Sequence, residues 1–217
     1  LGHSWSPRIH ELLCGYPYGL YEVEPVELES FLASTDLSGM NVTIPYKKTV
    51  IPFLDELSDT ARRLGAVNTV VRQGDRLLGH NTDYFGFASM VSESGLSPKG
   101  KKCLVLGSGG ASATVCAVLE ELGAQVVVIS RRGENHYGNL SIHGDAAILV
   151  NTTPVGMYPK MDESPLTPEQ LSFMESVFDT IYNPQETLLL KYAKDKNMPC
   201  SNGLAMLVYQ AAQSQEI

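Results

Sequence analysis

Short apolar runs alternate with stretches of helical spacing from one end of the chain to the other, with no internal repeat and no low-complexity tract. Alternation of that kind predicts an α/β chain with mostly parallel sheet. Ser6-Pro7 reads as a helix start, with Ser as N-cap and Pro at the first helical position. Residues 20–23 read as a strand and 26–33 as a helix. A strand over 40–44 runs into Pro45, and a helix continues to about Phe53. A short helix covers 60–64. Two extended runs, 66–72 and 77–82, flank Gln73-Gly74-Asp75-Arg76, which is a hairpin signal. A helix over 84–94 ends in a turn-rich connector, 95–100.

A second unit opens at Lys102. Residues 103–106 form a buried strand, followed at once by Gly107-Ser108-Gly109-Gly110-Ala111-Ser112. The next helix carries Ala111, Val115, Val118, Leu119 and Leu122 on one face, the spacing of a packed stripe, and Gly123 ends it. Strands follow at 126–129, 146–150 and 177–181, and a last helix at 203–212. Two lobes of about a hundred residues each suit 217 residues better than one core.

Composition narrows the function classes. The formal net charge is -8, with 16 Lys+Arg against 24 Asp+Glu, which argues against nucleic-acid or anionic-membrane partners. Charged residues are 18% and hydrophobic residues 43%, a folded composition. No apolar run is long enough to span a membrane, and no signal-peptide pattern opens the chain. Cys14, Cys103, Cys116 and Cys200 form no C-x-x-C pair and no zinc spacing with His. Reduced cysteines in a cytoplasmic protein, and no metal, are the expectation.

A strand, a glycine loop, a helix and a strand make the dinucleotide-binding unit. Its glycines permit the tight turn and let the backbone approach a pyrophosphate at the helix N-terminus. Ser112 stands at the third glycine position of the usual fingerprint. A plain strand-to-helix turn would read similarly. The second strand ends Ile129-Ser130-Arg131-Arg132, where an NAD site would place a carboxylate for the ribose hydroxyl. A guanidinium there suits a 2′-phosphate, so NADP is the expected cofactor; a solvated arginine pair is the alternative.

In the first lobe, polar groups gather at the ends of apolar runs. Ser4 and Ser6 offer hydroxyls in a turn before a helix. Asn41 and Thr43 alternate along their strand and point to one face. Lys47 falls on the first turn of the next helix, where the dipole disfavours a cation and pushes its pKa down, which suits proton transfer. If Arg72 pairs with Leu77, Asn68 faces Asn81, and Asp83 lies just past the same end. Each group alone suits a cap or a turn; their convergence suggests a site.

These residues resemble the shikimate dehydrogenase family over the whole chain. The likeness rests on His3-Ser4-Trp5-Ser6-Pro7, Asn41-Val42-Thr43-Ile44-Pro45-Tyr46-Lys47, Gly65-Ala66-Val67-Asn68-Thr69 and Asn81-Thr82-Asp83. It continues through Gly107 to Ala111, Asn151-Thr152-Thr153-Pro154-Val155-Gly156-Met157 and Tyr182-Asn183-Pro184, and ends on the run from Gly203 to Ala212. The resemblance implies NADPH-dependent reduction of 3-dehydroshikimate to shikimate, on the way to chorismate and the aromatic amino acids.

It also implies residue roles. Ser4 and Ser6 would bind the substrate carboxylate. Asn41, Thr43, Asn68, Asp83, Tyr182 and Gln210 would hold the ring hydroxyls and carbonyl region. Lys47 would move the proton, with Asp83 as its partner. Gly107, Ser108, Gly109, Gly110 and Ala111 would hold the pyrophosphate, and Ser130, Arg131 and Arg132 the 2′-phosphate. Thr152, Ile181, Gly203 and Met206 would line the nicotinamide side.

The implied fold is an N-terminal three-layer α/β substrate lobe over 1–84 and a Rossmann lobe over 85–201, with a cleft between them. A C-terminal helix over 202–217 returns to the first lobe. The family has a strand before the first motif, so further residues upstream are expected. Between Arg132 and Asp145 the family has a helix, whereas this segment is rich in Gly, Asn and His. A quinate/shikimate dehydrogenase with relaxed cofactor use is the nearest alternative. A non-catalytic NADP-binding regulator is another, though it would have no need of Lys47, Asp83 and Asn68 together. A small-molecule substrate and a monomer or homodimer are expected.

Overall fold

The computed structural model describes residues 4–15, 17–33 and 37–217; His3 of the first motif lies outside them. The chain divides into two units, 1–86 with 208–217, and 87–207.

The first unit contains α1 (Ser6–Cys14), α2 (Leu28–Ala33), β1 (Gly39–Asn41), α3 (Tyr46–Thr49), β2 (Glu56–Leu57), α4 (Asp59–Leu64), β3 (Thr69–Gln73) and β4 (Arg76–His80). Its sheet has the order β1-β3-β4-β2. The β1–β3 and β3–β4 pairs are antiparallel and only β2–β4 is parallel, so the expected parallel character fails here. The reason is the tight hairpin, which can only return antiparallel. Its register is the expected one: Arg72 pairs with Leu77. One sheet face brings Val70 and Leu77 against Leu28, Leu32, Val50, Ala61 and Val67.

Three local expectations change. Residues 20–23 form no strand. The Val23 carbonyl accepts from the Tyr46 hydroxyl, and the Tyr21 ring lies 5.3 Å from that of Phe31, so side chains hold a segment that no ladder holds. Ser6 is the first residue of α1 rather than its cap. Trp5 occupies the cap position and its side chain makes no capping hydrogen bond, and the Ser6 amide donates instead to Ser4 Oγ at 3.3 Å. The strand at 40–44 stops at Asn41, because Thr43 turns to accept from the Tyr46 amide at 2.8 Å. Asn41 and Thr43 therefore do not share a strand face, and Thr43 is exposed.

Helix α5 (Asp83–Glu93) starts in the first unit and ends in the second. The second unit then runs β5 (Lys102–Leu106), α6 (Gly110–Glu121), β6 (Gln125–Ile129), β7 (Ile148–Asn151), β8 (Ser176–Asp179), α7 (Leu188–Asp195) and β9 (Cys200–Ser201). The last helix, α8 (Leu204–Glu216), begins in the second unit and ends in the first. The five strands are parallel throughout, in the order β6-β5-β7-β8-β9. That is a doubly wound order whose switch point lies between β5 and β7, where open α/β sheets take their ligands. Val115, Val118 and Leu119 of the α6 stripe are buried, while Leu122 remains 39% exposed at the helix end. A 3-10 segment, Tyr137–His143, stands where the family has a helix. The sequence pattern predicts neither helix α7 nor strand β9. The Thr187 side chain caps α7 by accepting from the Leu190 amide.

Among the described residues no helix is long and apolar enough to cross a membrane, and no group of three His, Cys, Asp or Glu side chains could hold a metal ion. All four cysteines are free, and burial pushes the Cys103 thiol up to about 11.

Candidate functional site

In the first unit the polar side chains at the strand ends do converge. Lys47 Nζ donates to Asp83 Oδ2 at 2.6 Å, and Asn68 Nδ2 donates to Asp83 Oδ1 at 3.0 Å. Asn68 is 3% exposed and Asp83 8%, so the carboxylate is held by both of its oxygens in a nearly dry place. The hairpin places Asn68, since its amide donates to the His80 carbonyl at 3.0 Å. Asn68 Oδ1 in turn accepts from the Thr82 amide at 2.7 Å, which sets the start of α5 and therefore Asp83. The Lys47 carbonyl accepts from the Val67 amide at 2.7 Å and anchors the lysine to the strand beside Asn68.

The helix-dipole argument for Lys47 does not survive. Helix α3 is a single turn of 4 residues, and Lys47 belongs as much to its end as to its start. Proximity to Asp83 is the larger electrostatic influence: two opposite charges at 2.6 Å and about one-fifth exposure or less outweigh a one-turn dipole.

Gln210 joins the cluster from α8, its Oε1 accepting from Thr82 Oγ1 at 3.4 Å and from Asn68 Nδ2 at 3.5 Å. Asn41 Nδ2 donates to Thr69 Oγ1 at 3.2 Å. Thr69, Thr82 and Tyr18 belong to this network, although the sequence pattern assigns them no role. The threonines flank residues that it does assign, so adjacency was an available signal; Tyr18 had none. Ser4 and Ser6 lie half-buried at the start of α1, and exposed Thr43 lies beyond the network.

In the second unit the glycine loop connects β5 to α6 as expected. Gly107 has φ +104, and a Cβ there would lie 2.9 Å from Thr152 Oγ1, so a side chain is excluded by both backbone and space. Thr152 is held against the loop by its amide and hydroxyl, which donate to the Leu106 carbonyl at 3.0 and 2.6 Å. Gly109 caps α6 without a side-chain bond, and the first turn of α6 has no acidic residue. A Cβ on Gly109 or Gly110 would meet open space. An uncapped, unobstructed helix N-terminus fits a pyrophosphate. Ser108 is exposed, and Ala111 is half-buried in the helix.

At the end of β6, Arg131 and Arg132 are exposed and form no ion pair among the described residues, while the Ser130 hydroxyl donates to the Arg132 carbonyl. Two guanidinium groups without a carboxylate partner suit a phosphate dianion. Ile181 and Met206 are buried, and the Gly203 amide donates to the Ile181 carbonyl at 2.9 Å. Tyr182 follows Ile181 and is half-buried.

The β7 and β8 ends are tied by Asp179, which the sequence did not reveal as special. It is fully buried and accepts from Asn151 Nδ2 at 3.1 Å, the Ile181 amide at 3.0 Å and Thr187 Oγ1 at 2.7 Å. Burial pushes its carboxyl up to about 6, against the opposing effect of those donors.

Comparison with known proteins fits both halves of this picture. A family profile described as the shikimate dehydrogenase substrate binding domain matches residues 1–70. The chain is 38% identical to a shikimate dehydrogenase (NADP(+)) from Clostridium beijerinckii, with 100% of the chain and 88% of that protein covered. A crystal structure of a chorismate mutase/shikimate 5-dehydrogenase fusion protein from Clostridium acetobutylicum superposes with a TM-score of 0.95 at 41% identity, covering 100% of this chain and 87% of that one. Shikimate 5-dehydrogenase from Thermus thermophilus, solved with NADP(H) and shikimate, gives 0.86 at 32% identity, covering 99% and 88%. With likeness of that extent over both units, the chain belongs to the shikimate dehydrogenase family.

Proposed function

We propose that the protein is an NADP-dependent shikimate dehydrogenase, catalysing the reversible reduction of 3-dehydroshikimate to shikimate. The observation that carries this reading is the Lys47–Asp83–Asn68 cluster, a cation and a carboxylate fixed 2.6 Å apart by a buried amide. A cofactor-binding regulator has no use for it. NADPH supplies the hydride when bound. Lys47 donates a proton from its ammonium to the alkoxide that develops on the substrate. Asp83 keeps that ammonium aimed, and Asn68 keeps Asp83 from turning. General-acid help of this kind is worth about 10²–10⁴ in rate.

Ser4 and Ser6 bind the substrate carboxylate, while Asn41, Thr43, Tyr182 and Gln210 bind its hydroxyls and carbonyl region. Gly107 to Ala111 bind the pyrophosphate, and Ser130, Arg131 and Arg132 the 2′-phosphate. Thr152, Ile181, Gly203 and Met206 border the nicotinamide. The protein acts on a small molecule as a monomer or homodimer. Free cysteines and an acidic surface suit the cytoplasm.

The test is a spectrophotometric assay with shikimate or quinate and NADP or NAD. The highest kcat/KM is expected for shikimate with NADP. Equal rates with quinate would support the relaxed form instead, and tight NADPH binding without turnover would support a regulator.

A further inference from the structure

We infer that Asp179 is a positioning residue for the nicotinamide end of the cofactor, acting through Asn151 and the Ile181 amide; this rests on the cofactor binding proposed above. The strand registers put Leu106, Asn151 and Asp179 in one row across β5, β7 and β8, at the carboxyl edge of the sheet. The next residues along that edge are built alike. Thr152 donates its amide and hydroxyl to the Leu106 carbonyl at 3.0 and 2.6 Å. Thr180 donates its amide and hydroxyl to the Asn151 carbonyl, both at 3.0 Å. Asn151 Oδ1 then accepts from the Thr153 amide at 3.0 Å and the Thr153 hydroxyl at 2.7 Å. Asp179 Oδ1 accepts from the Ile181 amide at 3.0 Å in the matching turn.

Asp179 Oδ1 also joins the two turns, because it accepts from Asn151 Nδ2 at 3.1 Å. Asn151 therefore donates on one side and accepts on the other, and cannot rotate without releasing Thr153. The Ile181 carbonyl accepts from the Gly203 amide at 2.9 Å, which carries the same order to the end of β9. Asn151 and Asp179 are both 0% exposed, so they act on a cofactor only through the backbone they orient.

The second oxygen has a different task. Asp179 Oδ2 accepts from Thr187 Oγ1 at 2.7 Å, and Thr187 caps α7. One oxygen sets the edge formed by Thr152 and Ile181, and the other anchors a helix. Without the Oδ1 acceptor, Thr152 and Ile181 must be ordered when the cofactor binds, and that ordering lowers affinity.

The experiment titrates NADPH and 2′-phospho-ADP-ribose into wild-type protein and four variants. The second ligand keeps the pyrophosphate and the 2′-phosphate but lacks nicotinamide. Asp179→Leu and Asn151→Ala should each weaken NADPH about tenfold, through a buried donor or acceptor left unmade, and change the fragment by less than about twofold. Asp179→Asn keeps an oxygen for Asn151 and Ile181, so its NADPH affinity should stay within about twofold of wild type. Thr187→Val should lower the melting temperature and leave both affinities within about twofold.

Unchanged NADPH affinity in Asp179→Leu and Asn151→Ala would overturn the assignment. So would an equal loss for the fragment, which would mean general loosening of the unit. An Asp179→Asn protein as weak as Asp179→Leu, or a Thr187→Val protein that loses NADPH, would overturn it as well. If Asp179→Leu does not fold, Asn151→Ala decides by the same criteria; failure of both to fold would make the cluster structural and end the proposal. Wild-type protein that does not bind NADPH would instead sink the cofactor reading itself.

Discussion

Asp179 closes β8 in the interior of the second unit, and its three hydrogen bonds tie the Asn151 and Ile181 loops to the N-terminus of α7. No charged group acts on it, only burial and those three donors. Its carboxyl titrates at about 6 in the folded protein against 3.8 for the free group. The shift of roughly two units corresponds to about 3 kcal/mol between the two protonation states. The sign follows from proton counting. Between those two values the folded chain binds a proton that the unfolded chain does not. The stabilisation is therefore complete below about 4 and is lost as pH rises through about 6.

Asp179→Asn abolishes this titration at nearly constant shape. The Asn Oδ1 can still accept from Asn151 and Ile181, and Thr187 must turn its hydroxyl to accept rather than donate. Amide hydrogen exchange of β7 and β8, measured on both proteins, reads the local opening free energy. From pH 4 to pH 7 the wild-type protection, relative to Asp179→Asn, should fall by on the order of a hundredfold. A ratio independent of pH would refute the reasoning, as would a carboxyl carbon shift of Asp179 that titrates near 4.

Lys47→Ala should lower kcat by about 10²–10⁴ and leave NADPH affinity unchanged in a binding titration, because the lysine belongs to the proton-transfer cluster alone; activity within a few fold of wild type would remove it from the mechanism. Arg131→Ala should raise the KM for NADP about tenfold to a hundredfold, the worth of a charge-assisted hydrogen bond, and leave NAD kinetics unaltered; equal losses on both cofactors would contradict a 2′-phosphate contact. Gly203→Ala would place its Cβ 2.0 Å from the Thr180 carbonyl oxygen. Backbone on both sides cannot yield cheaply, so a loss of about 1–3 kcal/mol is expected in thermal melts, and a melt like that of wild type would show that the contact relaxes freely.

Much of the scaffold was legible because it follows from short-range rules. The hairpin register comes from the turn Gly74-Asp75 and the two apolar runs beside it, and it alone brings Asn68 next to Asp83. The glycine loop was readable because strand, glycines and helical stripe are consecutive. The missing carboxylate after β6 was readable because the position is defined by the strand it ends. Residues 20–23 failed the same treatment: alternation and β-propensity describe a strand only when a neighbour supplies the ladder, and here side chains hold the segment instead. Thr43 failed because a turn around Pro45 overrode the alternation.

By itself the sequence determined the two lobes and the dinucleotide unit, and it brought forward the residues proposed for the cofactor phosphate and for the proton-transfer pair. Tertiary structure decided which distant groups meet. Gln210 reaches Asn68 across 142 positions, Tyr18 reaches Asn41 across 23, and Asp179 gathers Asn151 and Thr187 from separate segments. It also decided that Lys47 is governed by Asp83 rather than by a helix dipole, since one turn of helix has little dipole and a carboxylate 2.6 Å away has a full charge. Local propensity acts over a few residues, whereas the packing of several elements sets the distances between side chains, and hydrogen bonds and charges depend on those distances.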